Sequence, residues 1–97
     1  MPIVQIEHGG DYAAWKAIFD EDRTPVSRKA SGVLRHRIAR RVDDPNYVIV
    51  DLEFADMAAA ETFRDAIQGL WDSRPDSPGL AGRLVLRIVD VAEEIDY

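Results

Sequence analysis

The chain has no cysteine, which excludes disulfides, zinc fingers and thiol catalysis. It also lacks a long hydrophobic run. Its apolar stretches fall far short of the roughly 18 residues that a membrane-spanning helix needs, so no membrane is expected as a partner. The opening residues MPIVQIEHGG carry no basic region. No signal peptide is therefore expected, and the default expectation is a cytoplasmic location. Positive charge is in deficit, with 12 Lys and Arg against 18 Asp and Glu and a net charge of −6. That balance argues against nucleic acid, whose binding rests on Lys and Arg neutralising phosphates. The densest basic run, RHRIARR at 35–41, does not reverse this, because strand alternation divides its charges between two faces. Gly9-Gly10 forms neither a dinucleotide-binding nor a P-loop pattern, and nothing around Ser27 or Ser31 resembles a nucleophile elbow.

What is present reads as one soluble globular domain over residues 1–97, with 46% hydrophobic and 31% charged residues. PIVQIEH (2–8) is a short strand rich in β-branched residues, closed by Gly9 and Gly10. Asp11 is placed to cap a helix in which Tyr12, Trp15, Ile18 and Phe19 recur at helical spacing. RTPVSRKASG follows as an irregular connection with room for one more turn. Two strands come next, at 33–42 and 47–54, joined by the turn DDPN. Asp56 begins a second helix over 56–71 whose buried face is Ala60, Phe63, Ile67, Leu70 and Trp71. The Pro/Gly-rich loop DSRPDSPGLAG and a last strand, RLVLRIVDVAEEI, complete the order. This is β-α-β-β-α-β, the ferredoxin-like α+β arrangement, which predicts a four-stranded antiparallel sheet in the order 4-1-3-2 with both helices on one face.

Alternation sorts the strand side chains into two faces. One carries Val4, Ile6 and His8, then Leu34, His36 and Ile38, the residues Val48 to Phe54 at alternate positions, and Leu84, Leu86 and Ile88; it should meet the helices. The other carries Glu7, Arg35, Arg37, Asp51, Glu53 and Arg87, interleaved with Val33, Ile49, Val85, Val89 and Val91. Three acids opposite three arginines among apolar residues suit a second copy of the same sheet packed there across a twofold axis. The alternative is a solvated face with cross-strand ion pairs worth only tenths of a kcal/mol.

DYAAWKAIFD, the connection ending RKASGV, and RRVDDPNYVIVDLEFADMAAAETF resemble a group of small dimeric α+β barrel proteins that includes the antibiotic-biosynthesis monooxygenases. The resemblance covers roughly residues 3 to 91. It implies a homodimer in which two sheets face each other as a barrel, with the last strand often reaching the partner. Members of the superfamily include cofactor-free oxygenases of polyphenolic substrates, haem-degrading enzymes, lactone isomerases and proteins of unassigned role, so the scaffold does not fix the chemistry. The Asn, Trp and His pattern of the haem-degrading members finds no place here, and the helix 56–71 holds no histidine. The loop WDSRPDSPGLAG also departs from the alanine-rich stretch expected of the superfamily.

His8 is the candidate catalytic base, because an imidazole can take a proton from a phenol near neutral pH. Tyr12, Trp15, Phe19, Phe63 and Trp71 are candidate ligand-binding residues, supplying the apolar walls that an aromatic molecule needs. His36 is a further candidate on the same face. Strand geometry puts it on the order of 10 Å or more from His8, too far to share a metal. No metal and no cofactor are expected. The reading is a homodimeric small-molecule-binding protein, with cofactor-independent monooxygenation of an aromatic or phenolic substrate as its activity. The alternative is a non-catalytic metabolite-binding or assembly module, in which His8 is a satisfied core-edge histidine.

Overall fold

The computed structural model describes residues 1–73 and 79–97; the central part of the predicted loop, residues 74–78, lies outside the described residues. The elements are β1 (Pro2–Gly9), α1 (Tyr12–Glu21), the single-turn α2 (Arg28–Ser31), β2 (Val33–Arg40), β3 (Val48–Phe54), α3 (Met57–Ser73) and β4 (Ala81–Asp90). The sheet runs β2-β3-β1-β4, antiparallel throughout, which is the predicted order. No helix among the described residues is long and apolar enough to cross a membrane.

Each helix starts where its sequence provides an acceptor. Asp11 accepts from the Ala14 amide at 3.2 Å, Ser27 from Ala30 at 3.2 Å, and Asp56 from Ala59 at 2.8 Å, each satisfying a donor that the first helical turn leaves unpaired. The core forms where the alternating faces of β1 and β3 meet the helices. Val4, Val48, Val50, Leu52 and Phe54 are all but completely buried, and Ala60 and Phe63 of α3 and Trp15 of α1 close over them.

The largest departures from the sequence reading fall in β2 and β4. β2 opens with an irregularity between Val33 and Arg35, so that Val33 pairs with Phe54 and Arg35 with Glu53. A bulge of this kind changes which face a residue meets. Val33 therefore packs against the core, while Leu34 is 52% exposed, the reverse of the predicted alternation for that pair. β2 ends at Arg40 rather than 42 because Arg41 enters the hairpin turn, where its amide donates to Tyr47 O at 3.1 Å. β4 ends at Asp90, where its pairing with Pro2 is the last rung available on β1, and 91–97 continue without regular structure.

On the sheet face away from the helices, two acid–arginine pairs form within the chain. Arg87 pairs with Glu7 and Arg35 with Glu53. Gln5 donates to Asp51 at 3.0 Å, Arg87 donates to Gln5 at 2.7 Å, and the Tyr47 hydroxyl donates to Glu7 at 3.0 Å.

Candidate functional site

His8 is the next-to-last residue of β1. Alternation turns it to the helix face beside Ile6, opposite Val48 on β3, and it is 2% exposed. The chain then reverses through Gly9 and Gly10, the latter at φ +124°, a backbone region open to glycine and few others. This reversal carries α1 back over the strand end. The His8 ring lies edge-on to Trp15 at 5.5 Å between centroids and tilted against Trp71 at 5.7 Å.

The ring's protonation follows from its neighbours. Nδ1 lies 2.8 Å from the carbonyl oxygen of Gly9; a carbonyl only accepts, so Nδ1 carries the hydrogen and Nε2 a lone pair. Burial disfavours the charged ring and pulls the pKa below 6.5, against a smaller upward pull from the Gly9 carbonyl. His8 is thus neutral at neutral pH. Among the described residues Nε2 has no hydrogen-bond partner, and His8 lines a cavity of about 420 Å³, a size in the range of small-molecule sites.

Ile6, Val50 and Leu52 of the sheet border that cavity, Trp15 and Phe19 of α1 form one wall, and Phe63, Ile67 and Trp71 of α3 form another. The aromatic contacts run on from Trp15 to Phe19, 4.8 Å between centroids. The structure therefore brings together His8, Trp15, Phe19, Phe63 and Trp71 of the sequence-predicted residues.

Tyr12 and His36 stand outside the cavity lining. Tyr12 packs on the far side of Trp15 at 5.9 Å, lies under the Arg40 guanidinium at 4.4 Å, and its amide donates to Asn46 at 3.1 Å. It clamps the β2–β3 hairpin to the start of α1. His36 is exposed on β2 and touches the edge of Phe19 at 5.3 Å. It pairs with Leu52, whereas His8 pairs with Val48. Two strands and four residues therefore separate the histidines, on the order of 15 Å.

The mouth of the cavity was not read from the sequence. Residues 21–26 and Arg28, from the end of α1 to the start of α2, line it there. Asp22 ends α1 in a left-handed conformation, φ 52°. Its carboxylate accepts from the Arg28 amide at 2.6 Å, the Lys29 amide at 3.2 Å and the Ser27 hydroxyl at 3.1 Å. These bonds hold its pKa below the usual carboxylate value, the Arg28 amide being the largest cause. The Arg28 guanidinium sits 3.5 Å above the Phe19 ring and 3.3 Å from Asp22. The one available signal was an Asp and a Ser flanking a short gap before RKAS, a capping pair whose partners lie up to seven residues apart.

No family model matches the sequence, and no curated protein matches it significantly. Solved structures do match over nearly the whole chain. SnoaB, a cofactor-independent oxygenase from Streptomyces nogalater, is 17% identical, aligning 99% of this chain with 96% of its own at a TM-score of 0.62. A protein from Caulobacter crescentus CB15 provisionally named an antibiotic biosynthesis monooxygenase is 18% identical over 95% of this chain and 90% of its own, at 0.66. Rv0793 from Mycobacterium tuberculosis is 17% identical over 99% and 100%, at 0.62. At these identities the likeness establishes architecture, and the chain has the ferredoxin-like fold of the antibiotic biosynthesis monooxygenase-like proteins.

Proposed function

We propose that the protein is a homodimeric, cofactor-independent oxygenase of a small aromatic or phenolic molecule, with His8 as the base. The observation that carries this reading is a neutral, buried imidazole whose Nδ1 is fixed by the Gly9 carbonyl while Nε2 remains available in an aromatic-walled cavity. A phenol bound there gives its proton to Nε2, a base held in place beside largely apolar walls. The electron-rich ring carbon then bonds to one oxygen atom of O2. Loss of the second oxygen atom as water, which takes the one hydrogen of that carbon and the phenol proton held on Nε2, leaves a carbonyl and needs no outside reductant. The likeness in fold to a cofactor-independent oxygenase supports the reading without fixing the substrate.

The homodimer is supported by the composition of the free sheet face. Ile3, Ile49, Val85 and Val89 stand half-buried there among part-buried charged groups. A second sheet would cover both kinds of group together.

Oxygen uptake tests the activity. The purified protein is mixed with a dihydroxynaphthalene and no added flavin or metal, and O2 consumption is followed beside the His8→Gln variant. Uptake above the background of the variant is expected. Equal uptake by both, with the arene still bound, would shift the assignment to a non-catalytic binding module. A native mass spectrum of the same preparation reads the dimer.

A further inference from the structure

Besides His8, the cavity has a second polar anchor that the reading above leaves unused. Arg28 lines the cavity with its side chain only 15% exposed, and its guanidinium carbon lies 3.5 Å from the centre of the Phe19 ring. A guanidinium has five N–H donors. Arg28 approaches Asp22 at 3.3 Å, yet among the described residues none of its side-chain donors completes a hydrogen bond. Asp22 is already occupied by two backbone amides and the Ser27 hydroxyl. A guanidinium that lines the cavity with its N–H donors unengaged is available to an acceptor that binds there.

Its placement is as informative as its chemistry. From His8 the rings step to Trp15, 5.5 Å, then to Phe19, 4.8 Å, and the Arg28 carbon lies 3.5 Å above that last ring. Three successive ring contacts along one aromatic wall thus lead from the imidazole to the guanidinium. Charge at the mouth cancels, since Arg23 pairs with Glu21 and Arg28 with Asp22, which favours a neutral acceptor over a carboxylate.

We infer that Arg28 is a specificity-determining residue that reads a neutral oxygen acceptor, a carbonyl, on the end of the ligand remote from the hydroxyl held by His8. This rests on the aromatic-ligand reading of the cavity and adds a second pole to it. The ligand is a flat aromatic with a hydroxyl at one end and a carbonyl at the other.

The test uses two naphthalenes, each with a hydroxyl on one ring. The far ring carries an acetyl group in one and an isopropenyl group of the same shape in the other. Binding is read by quenching of Trp15 and Trp71 fluorescence. The wild-type protein is expected to bind the acetyl compound about tenfold tighter, the value of one hydrogen bond to a charged donor. Arg28→Met, which keeps an unbranched chain on Phe19, should bring the ratio of the two affinities close to one. Equal binding of the two compounds by the wild type overturns the role of Arg28, as does a difference that survives in Arg28→Met, and both leave the aromatic cavity standing. The wild-type comparison decides the matter even if the variant does not fold. A hydroxynaphthoate bound tighter than the ketone overturns the choice of a neutral acceptor. Failure of both naphthalenes to bind overturns the aromatic-ligand reading and the Arg28 assignment together.

Discussion

His8 and Trp15 meet edge to face, with ring centroids 5.5 Å apart and planes inclined by 65°. One comes from the end of β1 and the other from the first turns of α1, so the tight reversal at Gly9-Gly10 is what makes them neighbours. Trp71 approaches the same imidazole from α3. The histidine is therefore desolvated from two sides while its tautomer is set from a third by the Gly9 carbonyl.

The depressed pKa of His8 gives stability a pH dependence of definite sign. The unfolded chain takes up a proton near pH 6.5, whereas the buried ring resists it to lower pH. Between those two values the unfolded state holds more protons, so stability falls as pH is lowered below about 6.5 and is flat in this respect above it. Thermal unfolding from pH 7.5 to pH 5 should show a decline in the wild type that is smaller in His8→Gln. Parallel curves for the two proteins would show that His8 titrates alike folded and unfolded.

Gly79 touches the other half of this corner. A Cβ there would lie 2.8 Å from the Trp15 Cα and 2.9 Å from its nitrogen, and a Cβ on Gly10 would lie 2.6 Å from the Gly79 carbonyl oxygen. These are backbone atoms of packed segments and have no room to yield. Gly79→Ala should cost about 1–3 kcal/mol in urea unfolding and shift the tryptophan emission. Gly69→Ala, in α3 with open space around it, should instead gain up to about 1 kcal/mol from helix propensity. A Gly79→Ala protein as stable as wild type would mean that the approach to Trp15 is not maintained in solution.

Asp22 combines a left-handed backbone with a carboxylate that caps α2. Asp22→Ala should destabilise by about 1–2 kcal/mol, the usual value of a lost cap, with added strain at positive φ. Asp22→Asn should cost less, because asparagine tolerates this conformation and keeps one acceptor oxygen. Chemical denaturation of the three proteins ranks them, and equal losses in Asn and Ala would show that the charge outweighs both geometry and capping.

Arg87 reports on the free sheet face. Reversing it, Arg87→Glu, sets a carboxylate beside Glu7, which also receives the Tyr47 hydroxyl. If two copies pack there, native mass spectra at micromolar concentration should move from dimer to monomer. A half-exposed ion pair in an open face is worth only about 1 kcal/mol or less, so an unchanged dimer would place the contact elsewhere.

Much of this architecture was legible in the residues. Period-two alternation in Val4, Ile6 and His8 and again in Val48, Val50, Leu52 and Phe54 marked the buried strand faces, and the helical recurrence of Trp15, Phe19, Phe63 and Trp71 marked the helix faces that close on them. These patterns survive because a residue's face depends only on its neighbours in the chain. The bulge at Val33 broke the rule locally, since an unpaired residue reverses alternation without any mark in composition. β4 is shorter than the alternation suggests because strand length depends on the partner strand, and the pairing of β4 with β1 stops at Pro2 and Asp90.

Sequence by itself determined the strand and helix order, the sheet order and the nearness of Trp15 to His8, because each follows from local periodicity and short connections. Only the tertiary structure decided that Tyr12 and His36 stand outside the cavity lining, that the His8 proton sits on Nδ1, and that Asp22 and Arg28 join that lining. Those facts depend on where a turn, a carbonyl or a guanidinium lands after packing. A separation along the chain does not specify a direction in space.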